Sequence, residues 1–279
     1  MKRPTLKLRG RWVKIGSINY LKEGRTMVLY FTGTGNSKFV AVALAEALGD
    51  AVLSMNSVMR RGENLSVYSD KPYVIVAPIH AWRYPAAVEE LLENADMSGC
   101  KDVYCIAAMG ENSGNADKAL EKLFRNKQMH FKGFCGVVMP NNYIPGWDVD
   151  SEEEVRDMLT AAVPKVKLLA EKIKAGETIR KDDKTAMAGL MSGLVNYGFR
   201  NFMLKKQVFD VSESCIGCGV CAASCPTSNI FVYDGKATFG ENCTSCYSCL
   251  HRCPVQAINI KGKTENRGRY VCVEYRDWK

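Results

Sequence analysis

The chain has 279 residues, of which 47% are hydrophobic and 24% are charged, as in an ordinary globular protein of one or two domains. It contains neither an apolar run of the roughly 18–20 residues that cross a bilayer nor the apolar core of a signal peptide, so we expect a cytoplasmic protein without a membrane span. Its twelve cysteines, in a reducing compartment, are expected to bind metal rather than to form a disulfide framework.

The net charge of +8 is concentrated at the start of the chain, in a leader of residues 1–26. The leader holds eight lysine and arginine residues against the single carboxylate of Glu23, so the rest of the chain is nearly neutral. A basic arm is able to bind nucleic acid or a membrane surface. We favour a disordered leader and no nucleic-acid partner. Met27 directly precedes the first predicted strand and would also make a sensible start codon, in which case the leader is not native.

From Met27 to residue 176, short apolar runs alternate with amphipathic stretches. The apolar runs predict five strands, at 27–31, 51–55, 73–78, 102–110 and 134–140. The amphipathic stretches predict four helices, at 38–49, 86–95, 116–126 and 151–176. In the last of these, Ser151 before a run of glutamates is typical of an N-cap, and Pro164 predicts a kink or a break. The alternation predicts an α/β domain over 27–176, with a doubly wound parallel sheet of order 2-1-3-4-5 and a ligand at the carboxyl ends of its strands.

The chain changes character in a connector, residues 177–210, which is polar at first and then reads AMAGLMSGLVNYGFRNFMLKK at 186–206. Three apolar residues recur there at helical spacing: Met191, Leu194 and Val195. Asn196 and Arg200 interrupt any membrane segment. We expect a connecting helix that packs against one domain or bridges both, and a docking helix for a partner is the alternative.

Beyond the connector, a cysteine motif occurs twice with a constant offset of 28 residues, which indicates an internal duplication. The copies, each C-x2-C-x2-C-x3-C-P, are Cys215, Cys218, Cys221, Cys225 and Pro226, then Cys243, Cys246, Cys249, Cys253 and Pro254. In such runs three cysteines bind one [4Fe–4S] cubane and the fourth binds the other. The first cluster would take Cys215, Cys218, Cys221 and Cys253, and the second Cys243, Cys246, Cys249 and Cys225. Zinc, the competing interpretation, needs neither a third close cysteine nor the proline.

The segment 211–262 resembles a bacterial two-cluster ferredoxin, with all eight ligand positions filled. The resemblance implies a small α+β domain that moves single electrons at low potential, followed by a tail, 263–279. Asp234-Gly235 predicts a hairpin within 230–239, and His251 and Arg252 are expected at the surface. The remaining four cysteines are given no chemistry: Cys100, Cys105, Cys135 and Cys272.

A glycine-rich loop, YFTGTGNSK at 30–38, lies between the first predicted strand and helix. Loops in this position hold phosphate, because free N–H groups at the helix start point at the anion. The Walker spacing is absent, and Lys38 stands where a dinucleotide fingerprint needs glycine. The remaining pattern, T-x-T-G-N-S, resembles the phosphate loop of flavodoxins, which bind FMN. The alternative is a turn that only caps the helix and binds no ligand. The residues assigned to phosphate binding are Thr32, Gly33, Thr34, Gly35, Asn36 and Ser37.

The resemblance to flavodoxins also implies that the isoalloxazine ring lies between the loops after the third and fourth strands. The implied contacts are Pro78, His80, Ala81 and Trp82 in the first loop, and Gly110 and Asn112 in the second. Trp82, or failing that Tyr84, is the candidate to stack on the ring. The second loop has no aromatic residue, so one ring face is open or is covered by Tyr143. His80 would hydrogen-bond the flavin or be an ordinary loop histidine.

A flavodoxin followed by a two-cluster ferredoxin resembles a fusion family of anaerobic bacteria and archaea. The resemblance implies an electron carrier that relays electrons between FMN and two [4Fe–4S] clusters, serving redox partner proteins or a small-molecule acceptor. No catalytic residue is assigned. The alternative is a flavin-dependent reductase of a quinone, a nitro compound or another small acceptor. A third possibility is a redox-sensing or nucleic-acid-binding protein that uses the leader.

Overall fold

The computed structural model describes residues 5–8, 11–14, 27–184, 186–203 and 208–278. Within the leader, strands β1 (Thr5–Leu8) and β2 (Arg11–Lys14) pair antiparallel. The leader was expected to be disordered; these eight residues are paired strands, and the other leader residues lie outside the described part of the chain.

A five-stranded parallel sheet forms the core of the larger domain. Its strands are β3 (Met27–Tyr30), β4 (Ala51–Ser54), β6 (Tyr73–Pro78), β8 (Asp102–Met109) and β9 (His130–Val138). They lie in the order β4-β3-β6-β8-β9, which among these five is the predicted 2-1-3-4-5. The central strands β6 and β8 are almost entirely buried, because helices cover both faces of the sheet, and this explains their continuous apolar sequence.

Five helices pack on the sheet: α1 (Asn36–Leu48), α2 (Met55–Arg60), α3 (Ala86–Asn94), α4 (Ala116–Asn126) and α5 (Glu152–Lys174). Helices α1 and α5 share one hydrophobic cluster with the end of the chain. Helices α2, α3 and α4 contribute to the cluster on the opposite face. Helix α2 was not predicted, and it begins at Met55, which the sequence pattern assigned to the preceding strand.

Helix α5 is continuous, so of the kink or break expected at Pro164 the break does not occur. Pro164 lies on an exposed part of the helix, as does Thr160, one turn earlier. Water can therefore solvate the carbonyl that proline leaves without a donor. The predicted N-cap is confirmed: Ser151 Oγ accepts from the N–H of Glu154, whose carboxylate accepts from the N–H of Ser151.

A second sheet, absent from the predictions, pairs β5 (Ser66–Ser69) with β7 (Asp96–Gly99) in parallel. Its strands read SVYS and DMSG, so no apolar run marks them. Gly99 has a φ of +86°, and a Cβ there would overlap the carbonyl of Ser69. The close approach of the two strands therefore requires glycine.

The connector helix, residues 188–203, runs through α turns at Ala188–Leu190 and Asn196–Gly198 and through π turns at Met191–Val195 and Phe199–Met203. The small domain then pairs β10 (Phe209–Val211) with β13 (Ile258–Ile260), and β11 (Ile230–Tyr233) with β12 (Lys236–Phe239). It also holds two short helices, Val220–Ser224 and Ser248–His251. Asp234 and Gly235 both have positive φ, as the predicted hairpin turn requires.

The tail returns to the larger domain, where its helix Tyr275–Trp278 packs on α1. The rings of Phe39 and Tyr275 lie 5.1 Å apart, edge to face. Among the described residues, no helix combines the length and the apolar character that crossing a membrane requires.

Candidate cofactor sites

The glycine-rich loop connects β3 to α1, and Gly35 forms the N-cap of the helix with a φ of +114°. The N–H of Gly35 donates to Oγ1 of Thr32 at 3.0 Å, which closes the turn. The first N–H groups of a helix have no acceptor within the helix, and they carry the positive end of its dipole. The loop therefore presents donors to an anion.

Ser37 provides the clearest test of whether this loop fits a phosphate. Its side chain is 1% exposed, and its hydroxyl has no hydrogen-bond partner among the described residues. A buried hydroxyl without a partner is costly, and a phosphate oxygen would satisfy it. The loop and its donors thus fit the terminal phosphate of a mononucleotide.

The side chain of Asn36, expected around the phosphate, is bonded elsewhere. Its Nδ2 donates to the carbonyl of Pro140 at 2.8 Å, and its Oδ1 accepts from the hydroxyl of Tyr270 at 2.8 Å. Asn36 therefore ties the loop after β9 and the tail to the start of α1. Main-chain N–H groups and hydroxyls are left as the donors for an anion.

A hydrogen bond from Nε1 of Trp82 to Oδ1 of Asn112, at 2.8 Å, joins the two loops expected at the flavin ring. Pro78 and Gly110 lie at the carboxyl ends of β6 and β8. Both lie at the edge of the sheet where ligands bind in this fold.

Trp82 lies in a tight turn of unusual geometry. Ala81 and Trp82 have φ values of +46° and +65°, and the main chains of His80 and Arg83 exchange hydrogen bonds across them. This is a type I′ turn, which normally uses asparagine or glycine. Two consecutive residues with a Cβ in the left-handed region mark local strain, of the kind that collects at ligand sites.

Tyr84, the fallback candidate for stacking, is a core residue. It is fully buried, and its hydroxyl donates to the carbonyls of Ile75 and Ile106, at 3.2 and 2.7 Å. Its ring therefore cannot reach a flavin, and Trp82 remains the aromatic candidate. For His80, burial and then the nearby charge of Arg200 lower the imidazole pKa to about 4, so it is neutral at pH 7.

A cavity in the small domain is lined by four cysteines, Cys225, Cys243, Cys246 and Cys249. These are the residues predicted to hold the second cluster, and the set includes Cys225 from the first copy of the motif. Apolar side chains, among them Ile230 and Phe239, complete the wall. A thiol-lined, largely apolar cavity fits the donor chemistry of an iron–sulfur cluster.

Backbone N–H groups point at several of the cysteine sulfurs. Sγ of Cys225, Cys243 and Cys253 each accept at 3.3 Å, from Asn229, Ser245 and Ala257 respectively. Such bonds stabilise thiolate ligands and tune cluster potentials. Burial, and after it the thiols of Cys215 and Cys218, raise the pKa of the Cys221 thiol. Cys215 and Cys253 pack against the hydrophobic cluster that contains Cys221.

The second cysteine motif lies directly on the glycine-rich loop. A Cβ at Gly33 would overlap the carbonyl of Cys246, so this contact requires glycine. Nε of Arg60 donates to the carbonyl of Cys225 at 3.3 Å, and the N–H of Cys272, in the tail, donates to the carbonyl of Thr34 at 2.8 Å. The small domain and the tail thus enclose the loop.

His251 is buried in this interface, so its expected surface position was wrong. Its Nδ1 accepts from the N–H of Tyr270 at 3.0 Å, which leaves Nε2 to donate to the carbonyl of Asn142 at 3.0 Å. The motif alone could not reveal this, because both partners lie far away in sequence. The reasoning from sequence also missed the contacts of Ser192, Asn196 and Arg200 with the Trp82 turn, although their four-residue spacing is visible.

Residues 214–257 match a protein family described as a 4Fe-4S dicluster domain. The chain joins a flavodoxin-like domain to a 4Fe–4S dicluster domain. It fits a flavodoxin–ferredoxin fusion, as the motifs predicted. No curated protein matches the chain.

Several solved structures are similar to the flavodoxin-like part of this fusion. A putative flavoprotein from Bacteroides uniformis is 18% identical, with coverage of 50% of this chain and 99% of that one and a TM-score of 0.33. A flavodoxin from the domain Archaea is 12% identical, with coverage of 54% and 99% and a TM-score of 0.31. The two-electron reduced flavodoxin of Megasphaera elsdenii is 18% identical, with coverage of 50% and 98% and a TM-score of 0.30.

Proposed function

We propose that the chain relays electrons between FMN and two [4Fe–4S] clusters held in the same polypeptide. The contact between the Cys246 carbonyl and Gly33 carries this proposal, because it lays the second cluster motif against the flavin phosphate loop. When bound, FMN exchanges one or two electrons, whereas each cluster exchanges one. Joining the centres in one chain raises the effective concentration of one carrier at the other.

The order of the centres follows from which cysteines face the flavodoxin-like domain. Cys246 packs against the core of that domain, and the carbonyl of Cys225 accepts from Nε of Arg60 in α2. Each ligand set also has one exposed cysteine, Cys218 in the first and Cys243 in the second. The cluster held by Cys243, Cys246, Cys249 and Cys225 is therefore the inner one. The cluster held by Cys215, Cys218, Cys221 and Cys253 exchanges electrons with an external redox partner.

In this proposal each protein group has a limited role. Thr32, Thr34 and Ser37, with the main chain of Gly33 and Gly35, bind the phosphate. Trp82 covers one face of the ring and Asn112 orients its indole, while the cysteine thiolates hold the clusters. The interface limits the access of water to the phosphate, since Thr34 and Ser37 are buried.

Anaerobic purification tests the proposal, through a visible spectrum, counts of iron and sulfide, and release of the flavin. We expect about eight iron atoms and about one FMN per chain, as two cubane ligand sets and one phosphate loop require. A colourless preparation, or one with zinc in place of iron, contradicts the cluster assignment. Iron without FMN contradicts the flavin assignment alone.

A second candidate is a reductase of a small acceptor, and the loop after β8 favours it. Gly110 and Glu111 are exposed there and the loop offers no aromatic residue, so a small molecule could reach the second face of the ring. Turnover of a panel of quinones and nitro compounds with reduced ferredoxin as the donor distinguishes the two. A relay transfers electrons to proteins but shows no saturable turnover with any member of the panel.

A further inference from the structure

The connector helix turns its polar residues toward the protein and its apolar residues toward solvent. Asn196 is 3% exposed, whereas Leu194 and Tyr197 are 73% and 62% exposed. Surface helices normally bury an apolar stripe. The attachment of this helix to the flavodoxin-like domain therefore depends on specific polar contacts.

Those contacts converge on the turn that carries Trp82. Nδ2 of Asn196 donates to the carbonyls of Ala81 and His80, at 2.7 and 3.3 Å. Oγ of Ser192 donates to the carbonyl of Trp82 at 3.2 Å, and Nη2 of Arg200 donates to that of Tyr84 at 2.7 Å. Three side chains spaced by four residues thus hold four main-chain carbonyls of one short loop.

The same helix also reaches the second ring loop. Oγ of Ser192 accepts from the N–H of Asn115 at 2.7 Å, in addition to its bond to Trp82. At Gly114 a Cβ would overlap both the Ser192 hydroxyl and the Trp82 side chain. The Ser192 hydroxyl therefore bridges the two loops that were expected to enclose the flavin, in addition to the bond between Trp82 and Asn112.

Arg200 anchors the helix at its other end. Its Nη1 lies 2.8 Å from the carboxylate of Glu89, which is buried in α3 and also pairs with Arg83 at 2.8 Å. Because Glu89 is shared, the ion pair links the connector helix to the residue that closes the Trp82 turn. Removal of Arg200 would leave Glu89 with one cation in place of two.

The strain of the turn explains why such a clamp is needed. Ala81 and Trp82 occupy left-handed backbone conformations that residues with a Cβ rarely adopt. Conformations of this kind persist only where the surroundings over-determine them. The carbonyls on which the clamp acts belong to the strained residues themselves and to their neighbours.

We propose that Ser192, Asn196 and Arg200 are positioning residues for the flavin ring. They hold the Trp82 turn in its strained geometry and set its distance from the loop after β8. This inference rests on the proposed FMN site, because it assigns a role to the connector at that site. Its consequence is that FMN affinity and the FMN reduction potential depend on side chains in a segment outside the flavodoxin-like domain.

The test uses the full-length chain, purified anaerobically, with Asn196→Ala, Ser192→Ala and a matched control, Asn201→Ala. Asn201 lies on the same helix, and its Nδ2 donates to the carbonyl of Tyr197 within that helix, at 3.0 Å. The measurements are amide hydrogen exchange over residues 79–84 in flavin-free protein, the FMN dissociation constant, and the FMN reduction potential.

We expect faster exchange over 79–84 in Asn196→Ala, about tenfold weaker FMN binding and a shifted potential. The reason is that the partly buried carbonyls of Ala81 and His80 lose the Asn196 donor, and that of His80 keeps the N–H of Arg83. Ser192→Ala should show the same changes to a smaller degree, and Asn201→Ala should match the wild type. If Asn196→Ala does not fold, as judged by circular dichroism, Ser192→Ala decides the outcome.

Two failures are distinguishable. If wild-type protein binds FMN and the Ser192 and Asn196 variants match Asn201→Ala in exchange, affinity and potential, the positioning role is wrong. If wild-type protein binds no FMN, the proposed function fails. The exchange measurement needs no flavin, so unchanged exchange in the variants overturns the clamp in that case as well.

Discussion

The hydroxyl of Ser37 is buried and lacks a hydrogen-bond partner among the described residues. If it donates to a phosphate oxygen, Ser37→Ala removes a charge-assisted bond. We expect FMN to bind about 10–100-fold more weakly, since hydrogen bonds to charged groups contribute about 1.5–3 kcal/mol. The flavin-free protein should melt at the same temperature or slightly higher, because an unsatisfied polar atom is removed.

Fluorescence quenching during FMN titration measures this affinity. Ser57→Ala is the matched control, because Ser57 is exposed in α2, and it should leave the affinity unchanged. Equal affinity of Ser37→Ala and wild type would contradict the phosphate assignment of this hydroxyl.

His80 makes stability depend on pH in a defined direction. Burial and Arg200 lower its pKa from 6.5 to about 4 in the folded chain. The unfolded chain therefore binds a proton that the folded chain does not, between about pH 6.5 and about pH 4. The free energy of unfolding falls as the pH falls through that window, by at most about 1.4 kcal/mol per pH unit.

Denaturant unfolding of wild type and His80→Gln at pH 7 and pH 5 checks this dependence. Wild type should lose more stability than the variant between the two pH values. His251, whose pKa is also lowered, contributes equally to both proteins and cancels in the comparison. An identical loss in the two proteins would show that His80 titrates normally.

At the residue scale, the eight cysteines and the glycine-rich loop could be proposed as cofactor sites from local spacing, because short motifs specify them, and these assignments stay predictions. Tyr84, His251 and Asn36 were placed wrongly or incompletely for a common reason. Their partners lie in other elements: Ile106, Asn142 and Tyr270. Such contacts depend on tertiary packing, which the local pattern does not specify.

Among the helices, α5 supports the phosphate loop indirectly, because it packs on α1 within one hydrophobic cluster. Its start depends on the reciprocal bonds between Ser151 and Glu154. Ser151→Ala removes the cap and should lower the free energy of unfolding by about 0.5–2 kcal/mol. Ser151→Gly should lower it by only a few tenths of a kcal/mol. Denaturant unfolding of both variants measures the difference, and equal losses would show that the cap is not the cause.

The elements that the sequence predicted were those with a clear apolar pattern, either a continuous run or a helical repeat. The five core strands and helices α1, α3, α4 and α5 were anticipated, because apolar residues mark their buried faces. The β5 and β7 pair and the six-residue helix α2 were not, since short polar segments carry no such signal. The connector was expected to be helical. It buries polar side chains and exposes apolar ones, which is the reverse of an ordinary amphipathic surface helix.

At the scale of the whole molecule, the order of the two domains was visible in the sequence, but their contact was not. The motifs predict a flavin site and two clusters without saying which cluster lies nearest the flavin. In the proposed relay, the contact of Gly33 with Cys246 makes the second cluster the nearer one. The tail closes the arrangement by returning to α1. A tail of ordinary composition gives no sign that it ties two cofactor domains together.

The tail therefore offers a test of the relay. Tyr275 is buried against Phe39 in the hydrophobic cluster of α1, and Tyr275→Ala should loosen the tail while leaving every cluster and phosphate ligand in place. We expect unchanged iron and FMN content but slower reduction of the flavin by the clusters, because the interface between Cys246 and Gly33 is no longer held closed. Rapid-mixing spectroscopy with a one-electron donor measures that rate.

Tyr233→Ala, at a ring that is 72% exposed on the small domain, is the control, and its flavin should be reduced at the wild-type rate. Equal rates in all three proteins would mean that the relay does not depend on the tail.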